Sequence, residues 1–230
     1  MKKLLLFFLL LVAGVFVSAQ ADGLWDESMY ERFTCEEFSR YGPSGMEIDF
    51  TGIDYPLLHA ALFYETNRRR NEHGVHAFFH SIALERASFL HSRDMVERGF
   101  FSHENPYDPE RRTPLLRMAF FGVNNGYVAE NITEAFGIRY EPGSPVIVPD
   151  AEGAEFRDYR TGKVIKPHTY RSFAVSVVES WMQSPPHRAN ILDPKLRYLG
   201  CGASHYRNAS FYGMDQFKVT QNFCSENPLK

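Results

Sequence analysis

Residues 81–106 read Ser-Ile-Ala-Leu-Glu-Arg-Ala-Ser-Phe-Leu-His-Ser-Arg-Asp-Met-Val-Glu-Arg-Gly-Phe-Phe-Ser-His-Glu-Asn-Pro. From about Ser81 to Arg98 the apolar positions recur at helical spacing. Ala83, Ala87, Leu90 and Met95 make an inner stripe, and Glu85, Arg86, Arg93 and Glu97 are expected to point outward. Gly99 is a natural helix stop. Phe100 and Phe101 then turn back toward the core and carry His103 with them. The stretch is thus a helix delivering an imidazole to the boundary of a core.

Two other segments have the same character. Ser184-Pro185-Pro186-His187-Arg188-Ala189-Asn190-Ile191-Leu192 wedges a histidine between a helix end and apolar residues, and Ala129-Glu130-Asn131-Ile132 does so with a carboxylate. Burying an ionisable group is costly unless it is paired. Three such groups, far apart in sequence but alike in setting, point to one shared polar site at His103, Glu130 and His187.

The rest of the chain sets the fold class. A helix begins at Pro56, a favourable first helical position. It follows Leu57, Leu58, Ala61, Leu62 and Glu65 and ends near Glu72-His73-Gly74. Thr113-Pro114 is an N-cap followed by proline and opens a short helix to Phe121, closed by Gly122. Phe173 to Gln183 makes another helix, with Ala174, Val178, Trp181 and Met182 on one face, and Ser184-Pro185-Pro186 terminates it. Ala189 to Leu192 is a short helical turn. Tyr198 to Ser204 and Phe217 to Phe223 read as two antiparallel strands joined by a polar loop. Helices first and strands last argue an α+β layered fold, not a βαβ winding.

The 230-residue chain is 44% hydrophobic and 15% aromatic, enough for one domain of substantial core. Met1-Lys2-Lys3, the apolar run Leu4 to Val17 and Ser18-Ala19-Gln20-Ala21 read as a signal peptide cleaved near Ala21. The apolar run is short against the ~20 residues of a membrane span. The divisions are residues 1–21 as signal peptide, residues 22–55 as an extended N-terminal arm with one short helix near Glu27 to Phe38, and residues 56–226 as the main domain. Residues 137–170, rich in Gly and Pro around Val146-Ile147-Val148, form an inserted loop or small β excursion. The expected location is secreted or periplasmic.

Beyond residue 21 the chain has 23 Lys and Arg against 28 Asp and Glu, a formal charge of −5. That acidic balance argues against nucleic acid as a partner. Cys35, Cys201 and Cys224 allow one disulfide in an oxidising compartment, or none, and the sequence leaves all three pairings open.

The motifs together resemble the CAP (SCP/PR-1-like) superfamily, in its bacterial secreted branch. The resemblance rests on Asn67-Arg68 through Gly74, Ala83 to Met95, Phe101-Ser102-His103, Thr113-Pro114 with Arg117, and Ala129-Glu130-Asn131-Ile132. It continues through Trp181-Met182, Ser184-Pro185 through Leu192, and Leu199-Gly200-Cys201-Gly202. It covers roughly residues 56–224. It implies an α-β-α sandwich, helices flanking a small antiparallel sheet, with a central cleft of two histidines and two acids. By motif these are His103, His187 and Glu130. In eukaryotic relatives the second acid follows the helix Trp by three residues, where this chain has Ser184. Glu179 lies about 140° from that position at ~100° per residue.

Two imidazoles and a carboxylate suit a borderline divalent metal such as zinc, with His103 and His187 as ligands, or metal-free proton transfer, or a purely structural polar network. Patterns of other hydrolases and of nucleotide-binding loops are absent. The first expectation is a ligand-binding module for a lipid, sterol, peptide or cell-envelope component. Phe120, Phe121, Tyr127 and Phe136 are its candidate apolar contacts. The alternative is a metal-dependent, protease-like extracytoplasmic hydrolase using His103, Glu130 and His187. A third reading is an interaction protein working through residues 137–170.

Overall fold

The computed structural model describes residues 25–150 and 155–228; the signal peptide read at 1–21 lies outside the described residues. Six α-helices are present among them: α1 (Cys35–Ser39), α2 (Tyr55–Glu72), α3 (Ile82–Glu97), α4 (Pro114–Phe120), α5 (Tyr170–Gln183) and α6 (Pro185–Leu192). The strands are β1 (Phe79–His80), β2 (Val128–Phe136), β3 (Val146–Ile147), β4 (Arg157–Asp158), β5 (Tyr198–Asn208) and β6 (Met214–Cys224). The main sheet runs β1-β5-β6-β2, with β2 at one edge. β5, β6 and β2 are antiparallel to their neighbours, and the two-residue β1 lies parallel to β5.

Local chemistry sets the helix ends. The Asp54 side chain accepts from the Leu57 amide to open α2, Ser81 does the same for Leu84 in α3, and Thr113 for Leu116 in α4. Gly99, with φ of +66°, follows α3 in a conformation that suits glycine. α5 starts at Tyr170, three residues earlier than the apolar pattern suggests, because Thr169 and Ser172 form a reciprocal cap. The prolines after Ser184 do more than end α5. They occupy the first positions of α6, so His187 sits in the first turn of a helix.

The two faces of the sheet differ. Leu199, Cys201, Ala203, Phe217, Val219 and Phe223 join α2 and α5 in the main apolar core. The alternate positions are small or polar and meet α3. A Cβ on Gly200 would lie 2.0 Å from the Glu85 nitrogen, and one on Gly202 2.2 Å from the Phe89 nitrogen. The helix backbone therefore rests directly on the strand. Ser88 and Ser92 donate to the carbonyls of Gly200 and Gly202 at 2.9 and 3.1 Å. The result is the expected α-β-α layering, with one apolar and one polar interface.

Two features differ from expectation. β2 is a nine-residue strand between the helices, so strands do not all come last. The segment after residue 24 is not extended: it folds as short helical pieces that cover α2, and Trp25 packs against Tyr30, Phe33, Phe38, Tyr41 and Tyr64. The reason is visible in α2, where every residue from Leu57 to Asn67 is buried and so needs cover on all sides. Cys35, Cys201 and Cys224 are all free, one of the outcomes the odd count leaves open. The excursion over 137–170 contains the β3–β4 pair and packs Ile138 and Phe156 against Met214.

Candidate functional site

β2 carries Glu130 and Asn131 side by side, and successive side chains on a strand point to opposite faces. Glu130 pairs in register with Asn222 and lies on the polar, α3-facing side; Asn131 pairs with Gln221 on the other. One edge strand thus reaches around both sides of the sheet.

On the first side, His103 Nδ1 lies 2.8 Å from Glu130 Oε1, and Arg117 Nη2 lies 2.8 Å from Oε2 and 3.1 Å from Oε1. The same guanidinium nitrogen donates to the His103 carbonyl at 2.8 Å, and Nη1 donates to the carbonyls of Arg111 and Arg112. With its amide nitrogen turned to the carboxylate, Asn222 also donates to Oε2 at 3.0 Å and accepts from the Ser88 amide. The Arg117 and Glu130 side chains are 1% and 2% exposed, whereas the His103 side chain is 50% exposed. Burial pushes the Glu130 carboxyl up, but the His103 hydrogen bond and the Arg117 charge outweigh it and hold the carboxyl below its usual range. Since Nδ1 donates to the carboxylate, the neutral imidazole has its lone pair on Nε2.

On the second side, Asn131 Nδ2 donates to the His187 carbonyl at 3.2 Å and to Gln221 Oε1 at 3.3 Å, while its Oδ1 accepts from Asn190 at 2.9 Å. Asn131 therefore clasps the first turns of α6. Burial, reinforced by the charge of nearby His103, lowers the His187 pKa. Its Nδ1 is buried without a hydrogen-bond partner. The structure thus joins His103 to Glu130 directly, and places the His187 ring within electrostatic reach of His103 with no hydrogen bond to either.

Sequence reasoning missed three members of this neighbourhood. Arg117 appears in the motif without a role, yet it is the ion-pair partner of Glu130. Asn222 lies on a strand with no signal pointing to it. His91 is fully buried: Nε2 donates to the Ser102 carbonyl at 2.9 Å and Nδ1 has no partner. Burial pushes its pKa down to about 4, with Arg117 and His103 adding to the effect and Glu130 opposing it. Glu179 stands apart, with Oε2 2.5 Å from Arg69 Nη2.

One carboxylate held between two imidazoles occurs elsewhere, at Glu85. Glu85, expected on the outer face of α3, meets His80 Nε2 at 2.7 Å and His59 Nδ1 at 3.4 Å, and accepts from Tyr30 Oη at 2.9 Å. Burial raises its pKa, but the two histidines overcome this and bring it to about 2. The histidines at 59 and 80 therefore share one carboxylate.

Residues 63–223 match the family described as the cysteine-rich secretory protein, or CAP, family. The chain belongs to the CAP family. This CAP chain is 24% identical over 137 residues to the protein YkwD of Bacillus subtilis (strain 168), covering 60% of this chain and 38% of that one. Its fold is similar to that of an extracellular SCP-domain protein from Bacillus anthracis str. Ames. The TM-score is 0.50 at 21% identity, covering 76% of this chain and 42% of the other. The chain thus spans about two fifths of the length of these relatives.

The CAP site can be tested for metal. A zinc ligand set needs three or more donors with free lone pairs. Both Glu130 oxygens are taken by Arg117 and His103. Among the described residues, no group of three or more His, Cys, Asp or Glu is placed to hold an ion. The carboxylate of this donor set is committed to Arg117 and His103, which leaves the imidazoles of His103 and His187 as its remaining donors. No helix among the described residues is long and apolar enough to cross a membrane.

Proposed function

We propose that this CAP domain is an extracytoplasmic binding module for an amphiphilic molecule, such as a lipid or another cell-envelope component. One observation carries the reading: α4 is inverted. It turns Arg117 inward onto Glu130 and leaves Leu115, Leu116 and Phe120 at 57%, 45% and 59% exposure. Exposed apolar clusters mark binding surfaces. The Arg117 side chain ties this helix to the His103 backbone, and Phe101 and Tyr107, on the same loop as His103, are also exposed. A half-exposed imidazole, on a loop tied to the helix that exposes these apolar side chains, offers a polar group and an oily surface to one ligand.

The His187 Nδ1, buried and unpartnered, supports the same reading, because buried polar atoms normally have partners. A ligand hydroxyl or carboxylate entering between His103 and His187 would supply one. The hydrolase reading gains less support, since the carboxylate it would use is neutralised by a buried arginine.

Lipid carriage tests the proposal. Delipidated protein is incubated with vesicles of phosphatidylglycerol and phosphatidylethanolamine, separated by size, and assayed for bound lipid. Native protein should carry lipid. Leu116→Glu combined with Phe120→Glu, both at exposed positions, should abolish carriage, and His103→Ala should weaken it. Lipid-free native protein, or equal carriage by the rim variant, removes the proposal.

A further inference from the structure

A cavity lies away from the His103 site, between the segment containing Tyr30 and the body of the domain. Its volume is about 800 Å³, within the usual range for a small-molecule site. Seven Phe and Tyr rings contribute to its lining, among them Tyr30, Phe63, Phe79 and Tyr198. The lining includes the carboxylates of Glu27 and Glu31, and no Lys or Arg among the described residues.

The polar tips of Tyr30 and His80 are already satisfied. Tyr30 Oη and His80 Nε2 both bond to Glu85 Oε2, and the two rings stack 3.6 Å apart with 4° between their planes. Both residues line the cavity, and with their polar tips engaged by Glu85 what they add to its wall is ring surface. Arg70, whose guanidinium lies 3.7 Å from the Phe78 ring centroid, spends its donors on the carbonyls of His76, Ile191, Asp193 and Leu196. The Asn67 amide is likewise held by the Phe78 backbone, accepting at 2.7 Å and donating at 3.1 Å.

Aromatic faces attract cations through their quadrupoles, and a desolvated cation is held more strongly than a hydrated one. Rim carboxylates add attraction for the same sign of charge and repel anions. We propose that this cavity is a ligand site for an organic cation with an apolar or aromatic body. A quaternary ammonium or alkylated amine would place its charge between the aromatic faces and the Glu27 and Glu31 rim, with its apolar part in the depth.

Three probes with one skeleton separate the possibilities: (4-hexylbenzyl)trimethylammonium, 4-hexylbenzyl alcohol and 4-hexylbenzoate. Binding to the full chain is measured by calorimetry and by the fluorescence of Trp25, whose ring packs on Tyr30 and Phe33. The cation should bind saturably at one site, at least tenfold tighter than the alcohol or the anion. The exposed double variant Glu27→Gln/Glu31→Gln should weaken the cation about fivefold and leave the alcohol unchanged. Phe79→Ala, on an exposed side chain, should weaken the cation about threefold. The Leu116→Glu/Phe120→Glu variant should bind the cation as native protein does, separating this site from the lipid reading. Equal binding of anion or alcohol, no saturation up to millimolar cation, or cation binding unmoved by the cavity variants would overturn the proposal.

Discussion

Arg117 Nη2 lies 2.8 Å from Glu130 Oε2, and neither side chain is more than 2% exposed. The pair links α4 to the edge strand β2, and through the His103 carbonyl it holds the loop that presents the imidazole. A buried ion pair is more costly to break than to replace, because removing one partner strands the other charge without water.

Arg117→Met and Glu130→Met are each expected to destabilise the fold by about 3–5 kcal/mol, and the double variant by much less than their sum. Urea denaturation of the four proteins in a double-mutant cycle checks this. Additive losses would mean that the two groups do not depend on each other.

Acid should unfold the protein in two stages. His91 has a folded pKa of about 4 against an ordinary 6.5, so the unfolded chain binds its proton first as pH falls. Its penalty is absent above about pH 6.5 and grows to about 3 kcal/mol by pH 4. Half-buried His168, also lowered by burial to about 4, acts in the same direction. Glu130 and Glu85 contribute stability above their unfolded values, lost as pH falls through their lower folded values, down to about 2 for Glu85. Urea midpoints from pH 7.5 to 3 should fall throughout this range. His91→Asn should flatten the limb between pH 6.5 and 4 without removing it. A native protein as stable at pH 4.5 as at pH 7.5 would contradict the first stage.

Gly202→Ala should cost about 3 kcal/mol or more, because its Cβ would meet the α3 backbone at 2.2 Å and a helix cannot step aside as a side chain can. Gly42→Ala, with no atom within 4 Å of the added carbon, serves as the control and should be near neutral. Thermal denaturation distinguishes the two.

Asn131→Ala removes the partner of the His187 carbonyl, the Asn190 amide and the Gln221 side chain. The expected loss is about 1–3 kcal/mol. Hydrogen exchange should show faster opening confined mainly to residues 185–192. Unchanged exchange there would remove Asn131 as the residue holding α6.

Much of the helical frame was legible because helix ends are local events. Asp54, Ser81 and Thr113 each accept from an amide within three residues, and Gly99 follows α3 at positive φ. β2 was not legible in the same way. Its adjacent Glu130 and Asn131 are both buried, on opposite faces, which erases the polar–apolar alternation of a half-exposed strand. The helical stripe of α3 put Glu85 outside, and it would be there if the segment containing Tyr30 did not fold back over it. The inverted α4 likewise defeats any rule that sends arginine to solvent and leucine inward.

The amino-acid order alone determined where helices begin and stop, the α+β class, and the three segments that present His103, Glu130 and His187, since these depend on caps, turns and short-range periodicity. Only the tertiary structure decided which partner each ionisable group received: Arg117 for Glu130, and the two imidazoles for Glu85. Two of these three pairings join residues 13 and 26 apart in sequence, and all three depend on the exclusion of water around them, which local sequence does not specify.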